Sequence, residues 1–285
     1  MLDVRRLRLL VELAHRGTIV AVAQALAFTP SAVSQQLSAL EREAGLPLLE
    51  RTGRTVTLTP AGRGLVEHAS LVLAQLERAR ADLDNARAGL AGPVRIGTFP
   101  SAGRTLLASA LAGLASAHPA LTPHLVELDP AAVADALRAG TLDVALVHDY
   151  DLTPALDEPL LWTEPMYLAA PSPTPDLASC RDAAWIVATP GTECRRMTER
   201  ACAAAGFEPS VRHQVDDFAT VLALVAAGQG VALVPELGVA DPPAGVVLTR
   251  MPLSRRTRLA HRPGASQHPA VRAVATAFRA AAAGR

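Results

Sequence analysis

The chain has 285 residues, half of them hydrophobic but only 3% aromatic, so its cores are built from Ala, Leu and Val. Arginine and lysine number 27 and so do the acids, so the zero net charge excludes a wholly basic nucleic-acid coat. Three cysteines without a C-x-x-C pair, and no secretory signal or apolar run of membrane length, point to a reduced cytoplasmic protein and away from the membrane.

Residues 4–16, VRRLRLLVELAHR, place Leu7, Leu10, Val11 and Ala14 on one helix face. Gly17 is the expected C-terminal cap, and Thr18 caps a second helix over 19–26. Thr29 is the next N-cap, with Pro30 at the first helical position, where its missing N–H costs little. This third helix runs to Ala44 and stops at Gly45. It buries Val33, Leu37 and Leu40. Its other face carries Ser31, Ser34, Gln35 and Ser38, with no acid before Glu41. Hydroxyls and amides of this kind can enter a DNA groove and bond to base edges. Helix, turn and polar second helix predict a helix-turn-helix within 17–45.

The run 47–62, PLLERTGRTVTLTPAG, follows with a T-G-R turn and a strand at 56–59, the pattern of a β-wing. Arg51 and Arg54 are expected beside backbone phosphates. Over residues 1–65 eight arginines face five acids, a small basic excess. A long helix over 61–88 then carries Leu65, Ala69, Val72, Leu76, Ala79, Leu83 and Ala86 at three and four spacing. That seam suggests a dimerising linker helix. Gly89, Gly92 and Pro93 mark a boundary.

Beyond 93 strands and helices alternate. Strands are expected at 94–99, 124–128 and 143–148, with helices at 103–117 and 130–139, which predicts a parallel sheet. A second set begins near Pro159: MYLAAP, WIVA, a helix at 192–205, VRHQV, a helix at 217–228 and VALVP. A strand at 257–261 and a helix at 268–283 end the chain. The fold expected is α+β with an α/β part. A winged helix-turn-helix (1–60) leads through a linker helix (61–89) to a two-lobed α/β domain (93–285) resembling periplasmic binding proteins. Lobe 1 takes 93–158 and 264–285, and lobe 2 takes 159–263.

The run 17–62, GTIVAVAQALAFTPSAVSQQLSALEREAGLPLLERTGRTVTLTPAG, closely resembles the DNA-binding domain of LysR-type transcriptional regulators. Matching pieces are Ala21, Ala23, Leu26, Ala32-Val33-Ser34, Leu40-Glu41, Gly45, Arg51, Arg54, Leu58-Thr59 and Ala61-Gly62. VRIG after the linker, LDVALV at 142–147 and LVAAGQGVALVP at 224–235 extend the resemblance over essentially the whole chain. It implies a cytoplasmic homodimer or homotetramer that binds an interrupted palindrome of double-stranded DNA. It also implies a response to a small-molecule effector, a carboxylate being one candidate, and contact with RNA polymerase if the protein activates. Carried over by position, Thr29, Ser31, Ser34, Gln35 and Gln36 are the recognition residues and Arg51 and Arg54 the wing contacts. Pro30 stands where Gln is frequent, so a base contact there is lost. Leu49 stands where Phe is usual, which alters core packing.

Ligands of two-lobed α/β domains sit at strand C-termini and helix N-termini. This directs attention to Ser101 and Ala102 after the first strand, His148 after the third, and Thr189, Gly191 and Thr192 before the 193–205 helix. Capping alone explains Ser101 and Thr192 as well as ligand binding does. No catalytic residue, metal site or cofactor is expected: the eight histidines show no H-x-x-x-H spacing, and G-x-S-x-G and P-loop motifs are missing. A solute-binding protein would not need the first 90 residues. A cysteine-based redox sensor of the same family is the alternative. Cys194 and Cys202 are about 12 Å apart on a helix, beyond the roughly 7 Å a disulfide spans, so they are expected to be packing residues.

Overall fold

The computed structural model describes residues 1–284 except 53–54, 87–89, 151–159 and 240–241. The chain divides into two units, 1–88 with 262–269, and 89–261 with 270–285.

In the first unit, local signals become structure with little displacement. Helix α1 (Val4–Arg16) starts at Asp3, whose carboxylate accepts from the N–H groups of Arg5 and Arg6. It ends at Gly17, whose φ of 73° is a left-handed conformation that glycine adopts without strain. Helix α2 (Ile19–Ala25) is capped by Thr18, and α3 (Pro30–Ala44) by Thr29, each hydroxyl accepting an amide N–H of the first turn. Strands β1 (Leu49–Thr52) and β2 (Thr55–Leu58) form an antiparallel hairpin, and α4 (Pro60–Ala86) leads away from it. Leu7, Leu10, Leu13, Val22, Val33, Leu37, Leu40, Leu48 and Ala69 make one core. A side chain from α3 fixes the hairpin: Glu41 Oε1 accepts from the N–H groups of Leu48 and Leu49, both at 3.0 Å. Thr59 then caps α4 through the Gly62 N–H at 3.0 Å. Gly62 is required there, since a Cβ would lie 2.2 Å from the Leu48 carbonyl oxygen.

The expected seam on α4 is split. Leu65 and Ala69 pack into the unit's own core, because the first turns of α4 lie against α1. Val72, Leu76, Ala79 and Leu83, spaced by four and three, are exposed. The unit is completed by 262–269, where Arg262 pairs with Glu77 at 3.3 Å and His268 with Asp84 at 3.2 Å.

The second unit contains β3 (Gly92–Thr98), α5 (Pro100–Ala102), a π-turn over Gly103–Leu107, α6 (Ala108–Ala117), β4 (Leu121–Glu127), α7 (Pro130–Ala139) and β5 (Val144–Tyr150). It continues with β6 (Leu160–Ala170), β7 (Ala184–Val187), α8 (Glu193–Ala204), β8 (Ser210–Gln214), α9 (Phe218–Ala226), β9 (Ala232–Pro235), β10 (Val247–His261) and α10 (Pro269–Ala283). Strand β3 pairs in parallel with β4 and β5, as the alternation predicts. The two lobes are not separate sheets. Six strands run in the order β4-β3-β5-β10-β6-β9, with β7 and β8 as a further parallel pair. The 15-residue β10 joins the lobes, since residues 247–250 pair with one end of β6 and 255–261 with β5. Only 257–261 of this strand were expected. Pro252 and the polar run Ser254–Arg258 break the apolar alternation that marks a strand, and a register shift falls between Arg250 and Ser254.

Candidate nucleic-acid interface and effector cavity

Helix α3 offers the polar face expected of it. Thr29, Ser31, Gln35 and Gln36 are exposed and Ser34 is half-buried. The face is held from behind by Val33, Leu37 and Leu40, each at most 1% exposed, so its side chains project from a rigid base. The Thr29 hydroxyl accepts from the Ala32 N–H at 3.2 Å and lies 3.0 Å from the Ser31 hydroxyl. Thr29 is therefore tied to the helix start. Gln36 is set apart from Gln35, because its Oε1 accepts from Arg6 Nε at 2.9 Å. Arg6 in turn pairs with Glu43. Arg51 lies in β1 opposite Val56, and Arg54 lies outside the described residues.

A cavity of about 250 Å³ opens in the second unit, where the ends of several strands meet helix starts. Phe99, Leu128, Ile186, Val187, Val215, Phe218 and Leu233 give it a mostly apolar wall. Of the residues expected at an effector site, Ser101, His148 and Thr192 line it. Three do not. Ala102 is fully buried in the core under α6, because it sits one residue past Ser101 and so on the inner side of the helix. Thr189 is taken up by Asp216, which accepts its N–H and its hydroxyl, both at 2.8 Å. Gly191 makes the left-handed turn into α8, with φ at 89°, and its carbonyl accepts from Arg196 at 2.9 Å.

Arg255 on β10, a residue the sequence did not single out, organises the floor. It is 1% exposed and pairs across the strands with Glu164 of β6, equally buried, at 2.7 Å. Its other bonds and contacts reach Ser101 Oγ at 3.0 Å and the face of Phe99, 4.9 Å from the ring centre. The second Glu164 oxygen accepts the Leu237 N–H at 2.7 Å. Burial is the largest influence and opposes the Arg255 charge, but Glu164, Tyr150 and Cys194 together outweigh it, so the pKa is raised and the guanidinium stays protonated.

His148 lies edge-on to Phe99, 4.8 Å between ring centres, and to Tyr150 at 5.2 Å. Burial first, and then the Arg255 charge, push its pKa well below the ordinary 6.5, so the imidazole is neutral at pH 7. No partner among the described residues reaches its Nδ1. Tyr150 OH and Cys194 Sγ lie 3.3 Å apart, and burial pushes both groups up in pKa. The remaining ionisable lining groups are Glu127, Asp129 and Asp216. The Asp129–Pro130 pair repeats the cap-and-proline signal of Thr29–Pro30 and could have been found by that rule; no such mark distinguishes Arg255 within SRRTR.

Among the described residues no group of His, Cys, Asp and Glu could hold a metal ion, and no helix is long and apolar enough to cross a membrane. Two family models match the chain: the bacterial regulatory helix-turn-helix protein of the lysR family over residues 4–63, and the LysR substrate binding domain over 87–283. The HTH-type transcriptional regulator TfdS of Cupriavidus pinatubonensis is 32% identical over 272 residues, covering 91% of this chain and 88% of its own. The hydrogen peroxide-inducible genes activator of Haemophilus influenzae is 28% identical, covering 92% and 91%. Among solved structures, a cysteine mutant of OxyR from Corynebacterium glutamicum is 26% identical with a TM-score of 0.59, covering 100% of this chain and 92% of that one. Full-length CbnR with its target DNA, at 23% identity and a TM-score of 0.54, shares the fold. The chain belongs to the LysR family of DNA-binding transcription regulators, with an N-terminal helix-turn-helix and an α/β effector-binding domain.

Proposed function

We propose that the protein binds an interrupted palindrome of double-stranded DNA through α3 and the hairpin, as a cytoplasmic homodimer or homotetramer. One observation carries the DNA assignment: an uncharged face of exposed Thr29, Ser31 and Gln35 with half-buried Ser34, on a helix whose back is fully buried. A solvated helix would more often carry charged pairs there. In this reading Ser31, Ser34, Gln35 and Gln36 meet base edges, while Arg51 and Arg54 hold phosphates. The exposed row Val72, Leu76, Ala79 and Leu83 supports pairing through α4 with a second copy. RNA polymerase is a further partner if the protein activates.

The cavity supports regulation by a small molecule in contact with Ser101, His148 and Thr192. Its wall is largely apolar, its cation is already neutralised by Glu164, and Glu127, Asp129 and Asp216 line it. Such a lining suits a mostly apolar molecule with at most one acidic group. Binding titrations of matched and scrambled duplexes test the DNA reading. Gln35→Ala relaxes sequence preference by about 1–3 kcal/mol per half-site, while Arg54→Ala weakens binding to every duplex. Equal losses on both duplexes for Gln35→Ala overturn the assignment.

A redox reading has less support. A reactive cysteine is a thiolate, and burial raises the pKa of Cys180, Cys194 and Cys202 alike, Cys202 to about 12. Cys194 and Cys202 also lie on one unbroken helix.

A further inference from the structure

We propose that Arg6 fixes the polarity of the Gln36 side chain, so that Gln36 reads DNA as a hydrogen-bond donor. The proposal rests on α3 as the DNA-reading helix. Gln36 Oε1 accepts from Arg6 Nε at 2.9 Å. A guanidinium has five donors and no acceptor, so chemistry alone dictates that the amide oxygen faces it and the amide nitrogen faces away. Arg6 cannot readily swing aside. Its other arm pairs with Glu43, and Glu43 also accepts the Asp3 N–H at 3.2 Å. Asp3 in turn caps α1 by accepting from the Arg5 and Arg6 N–H groups at 2.7 and 3.3 Å, and the two contacts with Glu43 seat the start of α1 against the flank of α3.

Gln36 stays exposed despite this bond. The part it presents is an NH₂ group with two donors. A glutamine that reads adenine needs its oxygen for N6–H and its nitrogen for N7. With the oxygen committed, that pairing is weakened, and the donors are left to seek guanine O6 and N7 or thymine O4. Gln35, one residue earlier, is also exposed, and no side chain among the described residues engages its amide. The two adjacent glutamines therefore read differently: Gln35 can turn either end outward, while Gln36 offers donors. Arg6 is a positioning residue that need not touch DNA itself.

The test is selection of the full-length protein on a random duplex library, followed by sequencing of the bound pool. For the natural chain, one position per half-site should demand guanine or thymine and lose that demand in Gln36→Ala. Arg6→Met removes the donor and frees the amide to rotate, so adenine should enter the same position, enriched about fivefold or more over the natural chain. Arg6→Lys restores a donor to Oε1 and should return the preference toward guanine or thymine. This rescue separates amide positioning from general damage to α1, as does comparison of the melting curves of the variants. An Arg6→Met preference identical to that of the natural chain overturns the proposal. So does a Gln36→Ala protein unchanged at every position, or a pool in which Gln36 selects adenine. A natural chain that enriches no sequence overturns the reading-helix assignment itself, and this proposal with it.

Discussion

Replacing Glu164 with alanine should be among the most damaging single changes to the effector-binding unit. Glu164 and Arg255 face each other across β6 and β10, and each is only 1% exposed. Truncating Glu164 leaves the guanidinium charged in the interior and removes the acceptor of the Leu237 N–H. Breaking a buried ion pair from one side costs about 3–5 kcal/mol. In a unit of this size each kcal/mol moves the midpoint by roughly 2–4 °C, so a loss of about 6–20 °C is expected. The chain's two tryptophans, Trp162 and Trp185, both lie in this unit, so their fluorescence follows its unfolding without a signal from the DNA-binding unit. Glu164→Gln keeps an acceptor for Leu237 and should cost less. The pair Glu164→Leu with Arg255→Met removes both charges together and should recover most of the loss, because the desolvation cost disappears with the attraction. A Glu164→Ala protein within about 1 kcal/mol of the original, or a double variant no better than the single one, refutes this account of the cavity floor.

Three further outcomes follow from the geometry. His148 is neutral in the folded protein and takes a proton near pH 6.5 when unfolded. Below that value the unfolded state binds more protons, so stability falls as pH drops, by up to about 1.4 kcal/mol per pH unit; His148→Phe should flatten this slope below pH 6.5 in urea titrations, and an unchanged slope would assign it elsewhere. Cys202, with its thiol pushed up to about 12, should resist iodoacetamide at pH 8 until denaturant is added, as read by mass spectrometry; rapid labelling of the native protein contradicts the burial argument. Leu76→Glu with Leu83→Glu places charge on the exposed row of α4 and should shift sedimentation toward the monomer without altering the fluorescence midpoint of the second unit; an unchanged sedimentation coefficient removes the row from the interface.

The DNA-binding unit was legible to within a residue or two at most element ends, because its signals are local. Thr18, Thr29, Gly17 and Gly45 each act on their own turn, and the three-and-four apolar spacing names the buried face of α1 and α3 directly. The roles of Glu41 and Gly62 were visible only as parts of a matching run; their reason is a meeting of α3, the hairpin and α4 that spacing cannot express. The cavity was half legible. Ser101, His148 and Thr192 sit where strands end and helices begin, a position the alternation of elements reveals.

The residues that organise the cavity lay beyond that reach. Arg255 looks like a surface arginine in a polar run, and Glu164 stands 91 positions away in another strand. Only their cross-strand register buries both and makes each the other's partner. The same holds for Gln36, whose amide end is chosen by an arginine 30 residues earlier. Sequence determined which helices form and where they stop, because caps and periodicity are properties of neighbouring residues, and the run 17–62 carried the resemblance to the family. Tertiary structure decided which charges are neutralised and which polar atoms remain to meet a ligand or a base, because those are properties of residues distant in the chain.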